Sequence, residues 1–212
     1  VKLLADAKRL KISINPPDIN LSDADFKILN DSTIQFGLAA IKNVGYKGIK
    51  EIVNYREDHG KFKSIFDLSK VSINKKILES LILVGACDSL KEHRAQMYES
   101  KDIILDFISK AQKSDNINQE NLFSGKDTIG LSTPKLMEYE PWGKEECLKY
   151  EKQLIGFYLT SNPLEKFDKD LQELSFIPEE INENSIIRVG GIITDIQHRF
   201  DKNGNKWALI TL

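Results

Sequence analysis

Phe36-Gly37-Leu38-Ala39-Ala40-Ile41-Lys42-Asn43-Val44-Gly45-Tyr46-Lys47-Gly48-Ile49-Lys50 is the stretch of sequence that decides the fold. Its apolar first half predicts a short helix that ends at Ile41-Lys42. A tight turn then holds one apolar residue, Val44, between Asn43 and Gly45, and an amphipathic helix follows. This order is typical of a helix-hairpin-helix motif. An ordinary helix turn closed by a glycine is the alternative.

The predicted hairpin has the chemistry of a phosphate-binding site. Its amides and the N-terminus of the next helix offer unpaired N–H donors and partial positive charge. Residues 36–63 contain six Lys and Arg against three acidic residues, which adds Coulomb attraction. Asn43 stands where the motif usually has its first glycine, and asparagine tolerates a left-handed backbone. We expect Gly45 to need a positive φ or a very close backbone approach. The candidate DNA-binding residues are Lys42, Asn43, Val44, Gly45, Tyr46, Lys47, Gly48 and Lys50.

A second, degenerate copy of the motif follows the first. A helix over residues 77–84 leads into Gly85-Ala86-Cys87-Asp88-Ser89, and another helix begins near His93. Only one glycine remains in this turn, so we expect the second copy to pack against the first rather than to bind DNA independently. Lys75, Lys76 and Arg94 are the cations near it. Together the copies predict one tandem helix-hairpin-helix domain over residues 36–113.

Composition excludes several other classes of protein. The chain has 212 residues, of which 41% are hydrophobic, and this is enough for a globular core. Its net charge of -2 gives no global sign of a nucleic-acid partner, so any basic face must be local. Cys87 and Cys147 have no CxxC spacing and no histidine pair nearby, which argues against zinc and fits a reduced, cytoplasmic protein. No apolar run approaches the roughly 20 residues that span a bilayer, so no membrane partner is expected.

A polar linker is predicted over residues 114–135, where turn-forming residues surround a brief apolar pair. Its pentamer runs from Gln119 to Phe123 and has the form Gln, any, any, aliphatic, aromatic. In an extended loop, Gln119 can form hydrogen bonds while Leu122 and Phe123 enter a groove, which is how peptides dock on sliding clamps. The alternative is a loop anchored on its own domain by Leu122 and Phe123.

The last third of the chain predicts an acidic connector and a β segment. Residues 136–185 look helical, and residues 101–185 carry ten Lys against seventeen acidic residues, so this region should avoid DNA. Residues 186–212 change to a strand pattern with a turn at Asn203-Gly204. They predict the first strands of an OB-fold, with a plain β-hairpin as the alternative. Cations and aromatics that could stack single-stranded bases are Arg199, Phe200, Lys202, Lys206 and Trp207. A place for Trp207 in a barrel core is the favoured alternative.

No catalytic or metal-ligating residue is predicted. Asp18, Asp23 and Asp25 form an acidic cluster that we interpret as a solvated turn rather than a metal site. The three histidines have no Ser or Cys nucleophile at a recognisable spacing. The predicted fold class is therefore mainly α with a small β part: a tandem helix-hairpin-helix bundle, a polar linker, acidic helices, and the first strands of an OB-fold.

These pieces, in this order, resemble family C of the bacterial replicative DNA polymerases, the family of DNA polymerase III alpha subunits. The resemblance covers nearly the whole chain, from the end of the fingers to the start of the OB-fold. It is carried by the 36–45 stretch and by Pro16-Pro17-Asp18-Ile19-Asn20, Phe62-Lys63-Ser64-Ile65-Phe66-Asp67, Leu83-Val84-Gly85-Ala86-Cys87-Asp88, Glu151-Lys152-Gln153-Leu154-Ile155-Gly156-Phe157-Tyr158-Leu159 and Asn162-Pro163-Leu164.

The resemblance implies roles for each part. Residues 1–35 would end the fingers, the paired hairpins would grip duplex DNA behind the active site, and the pentamer would dock on the sliding clamp, the beta subunit. The OB-fold would meet the single-stranded template, and other subunits of the polymerase III holoenzyme would be partners. The full protein would be a magnesium-dependent DNA-directed DNA polymerase, a nucleotidyltransferase of DNA replication. Its catalytic palm carboxylates match no residue here, so this section would supply grip and processivity.

Three other interpretations stay open at this point. An error-prone paralogue or a Gram-positive-type relative would share most of these motifs. A non-enzymatic accessory protein with helix-hairpin-helix and OB modules would bind DNA without being a polymerase. A pure protein scaffold would have neither DNA binding nor polymerase activity. Departures from the family pattern are Asn43, the glycine missing from the second hairpin, and an OB-fold represented by about two strands.

Overall fold

Helices form most of the regular structure, in a fold that is mainly α with a small β part, as the sequence predicted. The structure is a computed structural model that describes residues 6–7, 9–120, 132–174, 186–188, 190–193 and 195–211. The chain divides into two compact units, Val1–Thr160 and Ser161–Leu212. The helices are α1 (Tyr46–His59), α2 (Lys75–Val84), α3 (Arg94–Glu99), α4 (Lys101–Glu120), α5 (Lys144–Ile155) and α6 (Asp168–Leu174), with 3₁₀ segments at Leu38–Ala40, Ile65–Lys70 and Glu165–Phe167.

A small three-stranded sheet precedes the first hairpin. Its strands are β1 (Ser13–Asn15), β2 (Lys27–Asn30) and β3 (Thr33–Gln35), in the order β1-β3-β2. Strands β2 and β3 pair antiparallel and form a hairpin. Strand β1 pairs parallel to β3 and was not predicted, because three residues are too few to show an alternating pattern.

One core serves both hairpin motifs. Helix α2 lies at its centre and buries Leu78, Leu81 and Ile82 completely. Helix α1 contributes Ile49 and Ile52, which are also fully buried. Further buried members come from every neighbouring element: Ile19, Ala24, Ile65, Leu68, Met97 and Ile104. The two copies therefore form one domain, and the segment before residue 36 shares that domain's core.

Helix α2 has specific signals at both ends. The Asn74 side chain accepts a hydrogen bond from the Ile77 amide at 2.9 Å and so caps the N-terminus. Gly85 adopts φ 86, ψ 13 at the C-terminus, a left-handed conformation that glycine reaches without steric cost. The single glycine of the second hairpin is thus needed to end the helix.

The segment of residues 18–24 ties the two motifs together through its backbone. The Ile19 amide donates to Ala86 O of the second hairpin at 2.7 Å. The Leu38 amide donates to Asp23 O at 2.9 Å, at the start of the first motif. The buried Asn20 side chain accepts from the Phe62 amide at 2.8 Å and donates to Phe62 O at 2.9 Å. The sequence of the Pro16–Asn20 motif suggests a simple turn, but in the structure this part of the chain holds the two hairpin motifs together.

Gly37 is required by a close backbone approach. A Cβ built on it would lie 2.5 Å from the carbonyl carbon of Asp25 and 2.8 Å from Ala24 O. Because the neighbours are backbone atoms, we expect Gly37→Ala to lower the free energy of unfolding by about 2 kcal/mol or more. Gly143→Ala is the matched control, since a Cβ at Gly143 meets nothing within 4 Å. Chemical denaturation measures both, and equal stabilities would contradict the close approach.

Helix α4 continues past the predicted start of the linker. The polar residues from Ser114 onward indicated a loop, but the helix extends to Glu120. Once a helix is nucleated, each further residue adds a backbone hydrogen bond, and this continues the helix through residues of low propensity. Gln119 and Glu120 are therefore helical in backbone rather than extended. Leu122 and Phe123 lie outside the described residues.

The predicted acidic connector is only partly helical. Residues 132–143 have no helix, and this segment lies against the core through Leu136, while the Met137 amide donates to Ser100 Oγ at 3.1 Å. Helix α5 follows, and its Glu151 carboxylate is buried. That carboxylate accepts from the Leu159 amide, from the Thr160 amide at 2.9 Å and from the Thr160 hydroxyl at 2.7 Å. The boundary between the two units falls directly after this capped turn.

The second unit contains helix α6 and a two-stranded antiparallel hairpin, β4 (Asp195–Phe200) and β5 (Lys206–Thr211). The turn at Asn203-Gly204 joins the strands, and Gly204 has φ 83. This hairpin agrees with the predicted start of an OB-fold. Within the described residues, no helix is both long and apolar enough to cross a membrane.

Candidate nucleic-acid interface

The first hairpin is fixed to the domain by two inward apolar residues. Ile41 is 2% exposed and Val44 is 8% exposed, and both belong to the core. The Val44 amide donates to Ile41 O at 3.2 Å and closes the turn between them. The residues on either side of Val44 are consequently pushed outward, and Lys42, Asn43 and Gly45 are exposed.

Asn43 supplies the left-handed residue of the turn. Its φ is 66, and among the described non-glycine residues only Lys11 is also positive. The expectation for Gly45 was wrong: its φ is -81, and a Cβ placed on it would meet nothing within 4 Å. The sharp reversal occurs two residues earlier than expected, so Gly45 is free of internal constraint and faces open space.

The N-terminus of α1 is left without a side-chain cap. Gly45 occupies the N-cap position, and no side chain accepts from the first amides of the helix. The Ile49 amide makes the first backbone bond, to Gly45 O at 3.2 Å. The amides of Tyr46, Lys47 and Gly48 therefore precede the regular ladder, at the positive end of the helix dipole.

One hairpin amide is already used inside the protein. The Lys42 amide donates to Leu154 O, near the C-terminus of α5, at 2.9 Å. Only the side chain of Lys42 is left to contact a ligand. This hydrogen bond was not predicted from the sequence, because residues more than a hundred positions apart carry no local signal of their contact.

Three exposed lysines surround the uncapped helix end. Lys42 stands before the turn, and Lys47 and Lys50 lie on the first turns of α1. The Lys50 ammonium lies 5.6 Å from the centroid of the Tyr46 ring, and the Tyr46 hydroxyl donates to Asp25 Oδ2 at 2.9 Å. The site thus combines free amides, a helix dipole and three cations, which is the chemistry of phosphate binding.

The acidic residues near the hairpin have structural partners. Asp18 Oδ1 accepts from the Asn20 amide at 2.6 Å, and Asp23 forms ion pairs with Arg56 and Lys27, each at 3.0 Å. Asp25 receives the Tyr46 hydroxyl. Across the described residues, no group of three or more His, Cys, Asp or Glu is placed to hold a metal ion.

Two of the three cations near the second hairpin already form ion pairs with carboxylates of the chain. Arg94 forms a bidentate pair with Asp88 at 2.6–3.0 Å, and the Lys75 ammonium lies 2.9 Å from Asp102. Lys76 is exposed. This distribution of charge makes the first hairpin the stronger candidate for DNA contact.

The predicted single-strand residues lie on two opposite faces of the β4–β5 hairpin. Arg199 pairs with Trp207 across the strands, and its guanidinium lies 5.7 Å from the indole centroid. Phe200 pairs with Lys206 one position further, so both point to the other face. Lys202 lies in the turn. Trp207 is 45% exposed and Phe200 is 70% exposed. The two aromatic rings therefore do not form one stacking surface.

Comparison with known proteins agrees with this geometry. A family model described as a helix-hairpin-helix motif matches residues 11–97, which contain both hairpins. The chain is 33% identical to the DNA polymerase III subunit alpha of Aquifex aeolicus over 220 residues, which are 100% of this chain and 17% of the relative. It is 32% identical to that of Saccharopolyspora erythraea, across 99% of this chain and 19% of the relative. The corresponding protein of Caulobacter vibrioides is 31% identical, across 98% and 19%.

The matches share one pattern: nearly all of this chain aligns, and it spans less than a fifth of the length of these curated relatives. The motifs at residues 16–20, 36–45 and 83–88 all lie within the residues that the helix-hairpin-helix family model matches. The chain is similar over nearly its whole length to one section of the DNA polymerase III alpha subunits, and this chain contains the helix-hairpin-helix motif.

Proposed function

We propose that this chain is a DNA-binding section of a replicative DNA-directed DNA polymerase and that its first hairpin holds duplex DNA through phosphate contacts. The observation that carries the proposal is the uncapped N-terminus of α1 with three exposed lysines around it. Such contacts read charge and spacing rather than base sequence, as a polymerase that copies every sequence requires. Magnesium-dependent nucleotidyl transfer in the bacterial cytoplasm belongs, in this proposal, to the whole polymerase.

A glycine substitution tests the hairpin without changing its charge. Gly45→Val should leave the melting temperature almost unchanged, because φ -81 and ψ 137 suit valine and the site is open. The same side chain would keep a phosphate away from the helix amides. We expect duplex affinity to fall about tenfold or more, as for the loss of charge-assisted hydrogen bonds. Fluorescence anisotropy with a labelled duplex measures this.

Gly143→Val is the matched control. Gly143 also precedes a helix as its N-cap, has φ -67 and ψ 160, and has open space at its Cβ position. Both variants therefore make the same change at the same kind of position. Equal duplex affinity in the two variants would mean that the Gly45 turn is not a DNA contact.

We also propose that Gln119, Leu122 and Phe123 form a sliding-clamp peptide. What supports the proposal is the pentamer pattern itself, whose first two residues are the last described residues of α4. Replacing Leu122 and Phe123 with Ala should weaken binding to the beta clamp about thirtyfold or more, as expected for two apolar anchors. Duplex affinity and melting temperature should stay unchanged. A melting temperature lowered by several degrees would instead assign the pair to the core.

Contact of the β4–β5 hairpin with the single-stranded template is the remaining part of the proposal. The Arg199–Trp207 pair on one face supports it, since an aromatic ring beside a guanidinium suits base stacking. Other holoenzyme subunits would be partners of the whole polymerase.

A further inference from the structure

A polar cavity lies beside the second hairpin in the first unit, apart from the candidate nucleic-acid interface. Its volume is about 360 Å³, and its lining includes Asp88, Glu92, Arg94 and Trp142. Its walls are the turn that leads into α3, the first residue of α3, the segment before α5, and Cys147 of α5. Binding cavities for small groups begin at roughly this size, so it can hold one side chain with its peptide group.

Two buried atoms in this lining lack a hydrogen-bond partner in the part of the chain that the structure describes. They are Glu92 Oε2, an acceptor, and Arg94 Nη1, a donor. Asp88 engages Nε and Nη2 of the same guanidinium, and this fixes the orientation in which Nη1 is left over. A buried polar atom without a partner is costly. A ligand that offers one cationic donor and one neutral acceptor would satisfy both.

An aromatic cluster borders the cavity. The Trp142 ring lies 5.5 Å from the Tyr98 ring and 5.0 Å from the Tyr150 ring, measured between centroids. All three side chains are half-buried. The Lys101 ammonium already lies 4.1 Å from the Tyr98 centroid, so this surface attracts a cation within the chain itself.

The surroundings of the aromatic cluster are acidic. Burial raises the pKa of Tyr98, and the carboxylates of Glu79 and Glu99 raise it further. Burial likewise raises the pKa of Tyr150, with a contribution from Glu146. These carboxylates repel the phosphates of DNA and attract positive charge. Lys75 offsets part of this effect at Tyr98, and the aromatic cluster together with the carboxylates favours a cationic ligand.

We propose that this cavity binds a basic segment of a partner protein. One arginine or lysine side chain of that segment lies against Trp142 and donates to Glu92 Oε2. A backbone carbonyl of the same segment accepts from Arg94 Nη1. A peptide supplies both groups at once, because every residue carries a carbonyl. This site goes beyond the proposed DNA contact and leaves the face of the first hairpin free.

The test uses the full chain and follows the Trp142 indole N–H by NMR, with the Trp207 indole as an internal reference. The probe is acetyl-Gly-Arg-Gly-amide, and acetyl-Gly-Glu-Gly-amide is the comparison. The arginine peptide should shift the Trp142 resonance to saturation and the glutamate peptide should not. Glu92→Gln should weaken the arginine peptide about tenfold, as expected for loss of a hydrogen bond between charged groups. Glu57→Gln, which removes an exposed carboxylate on α1, should leave its affinity unchanged.

Several results would overturn the proposal. These are equal shifts by both peptides, no saturation at Trp142, or equal weakening in the Glu57→Gln control. Spermidine has cations but no carbonyl, so equally tight binding of spermidine would exclude a peptide site. A short single-stranded oligonucleotide that shifts Trp142 would make the face a nucleic-acid site. The peptide comparison on the unmodified chain stays decisive even if Glu92→Gln fails to fold.

Discussion

Changing Lys42, Lys47 and Lys50 together to Glu should lower the affinity for duplex DNA about a hundredfold or more, because each ammonium contributes a phosphate contact and each new carboxylate repels one. The three side chains are exposed and surround the uncapped N-terminus of α1. The Lys42 backbone amide donates to Leu154 O, and the substitution leaves this bond in place, while Lys50→Glu removes only an exposed ammonium–ring contact with Tyr46. The melting temperature should therefore change little.

A control variant separates a local site from net charge. Lys91, Lys113 and Lys149 are also exposed in the first unit, and changing them to Glu alters the net charge by the same amount. If the first hairpin is the DNA contact, the control variant should bind duplex DNA several-fold more weakly at most, through general repulsion. Equal losses in the two variants would mean that the protein binds DNA through its overall field.

Arg56→Ala should strongly destabilise the fold, because the guanidinium is buried against three acceptors. The Arg56 side chain is 10% exposed. It donates to Ile19 O at 3.1 Å, to Ser22 O at 2.8 Å and to Asp23 Oδ1 at 3.0 Å. Removal leaves those acceptors without their donor and frees α1 from the segment that ties the two hairpins. We expect the free energy of unfolding to fall by about 3 kcal/mol. Thermal and chemical denaturation measure it.

The pH dependence of this loss follows from Asp23. Partial burial would raise the pKa of Asp23, but the hydrogen bond and charge of Lys27, with the charge of Arg56, hold it below its ordinary value of 3.8. The ion pair therefore stabilises the fold above pH 3.8, and this stability is lost as the pH falls through the lowered pKa. The difference between Arg56→Ala and the unmodified protein should shrink in that range.

Lys110→Ala is the surface control for Arg56→Ala. Its ion pair with Asp106 lies at 2.6 Å, but both side chains are more than 60% exposed. Solvent screens such a pair, so we expect a change within about 0.5 kcal/mol. A similar loss in the two variants would contradict the buried role of Arg56.

Sequence patterns predicted the parts of this fold that rest on local chemistry. The turn at residues 41–45, the helix that starts at Tyr46 and the hairpin around Asn203-Gly204 all follow from turn formers and periodicity. Asn43 was expected to tolerate a left-handed backbone, and its φ of 66 confirms this. The glycine at position 45 suggested a strained turn residue, but its backbone has an ordinary extended conformation that any residue can adopt.

What the sequence could not predict depends on contacts between distant residues. The hydrogen bond from the Lys42 amide to Leu154 O joins two distant parts of the chain, and no sequence pattern indicates that they are in contact. The hydrogen bonds from Arg56 to the backbone carbonyls of residues 19 and 22 likewise join distant parts of the chain and carry no local signal. The opposite faces of Phe200 and Trp207 depend on strand register, which a residue count across the turn does not fix.

The salt dependence of duplex binding tests the central claim most directly. The logarithm of affinity is measured against the logarithm of salt concentration for the unmodified chain and for the variant with Lys42, Lys47 and Lys50 changed to Glu. If the first hairpin holds phosphates, the slope becomes shallower by nearly one unit for each lost contact. An unchanged slope would show that these lysines touch no phosphate and would contradict the assignment of this hairpin as the DNA-binding site.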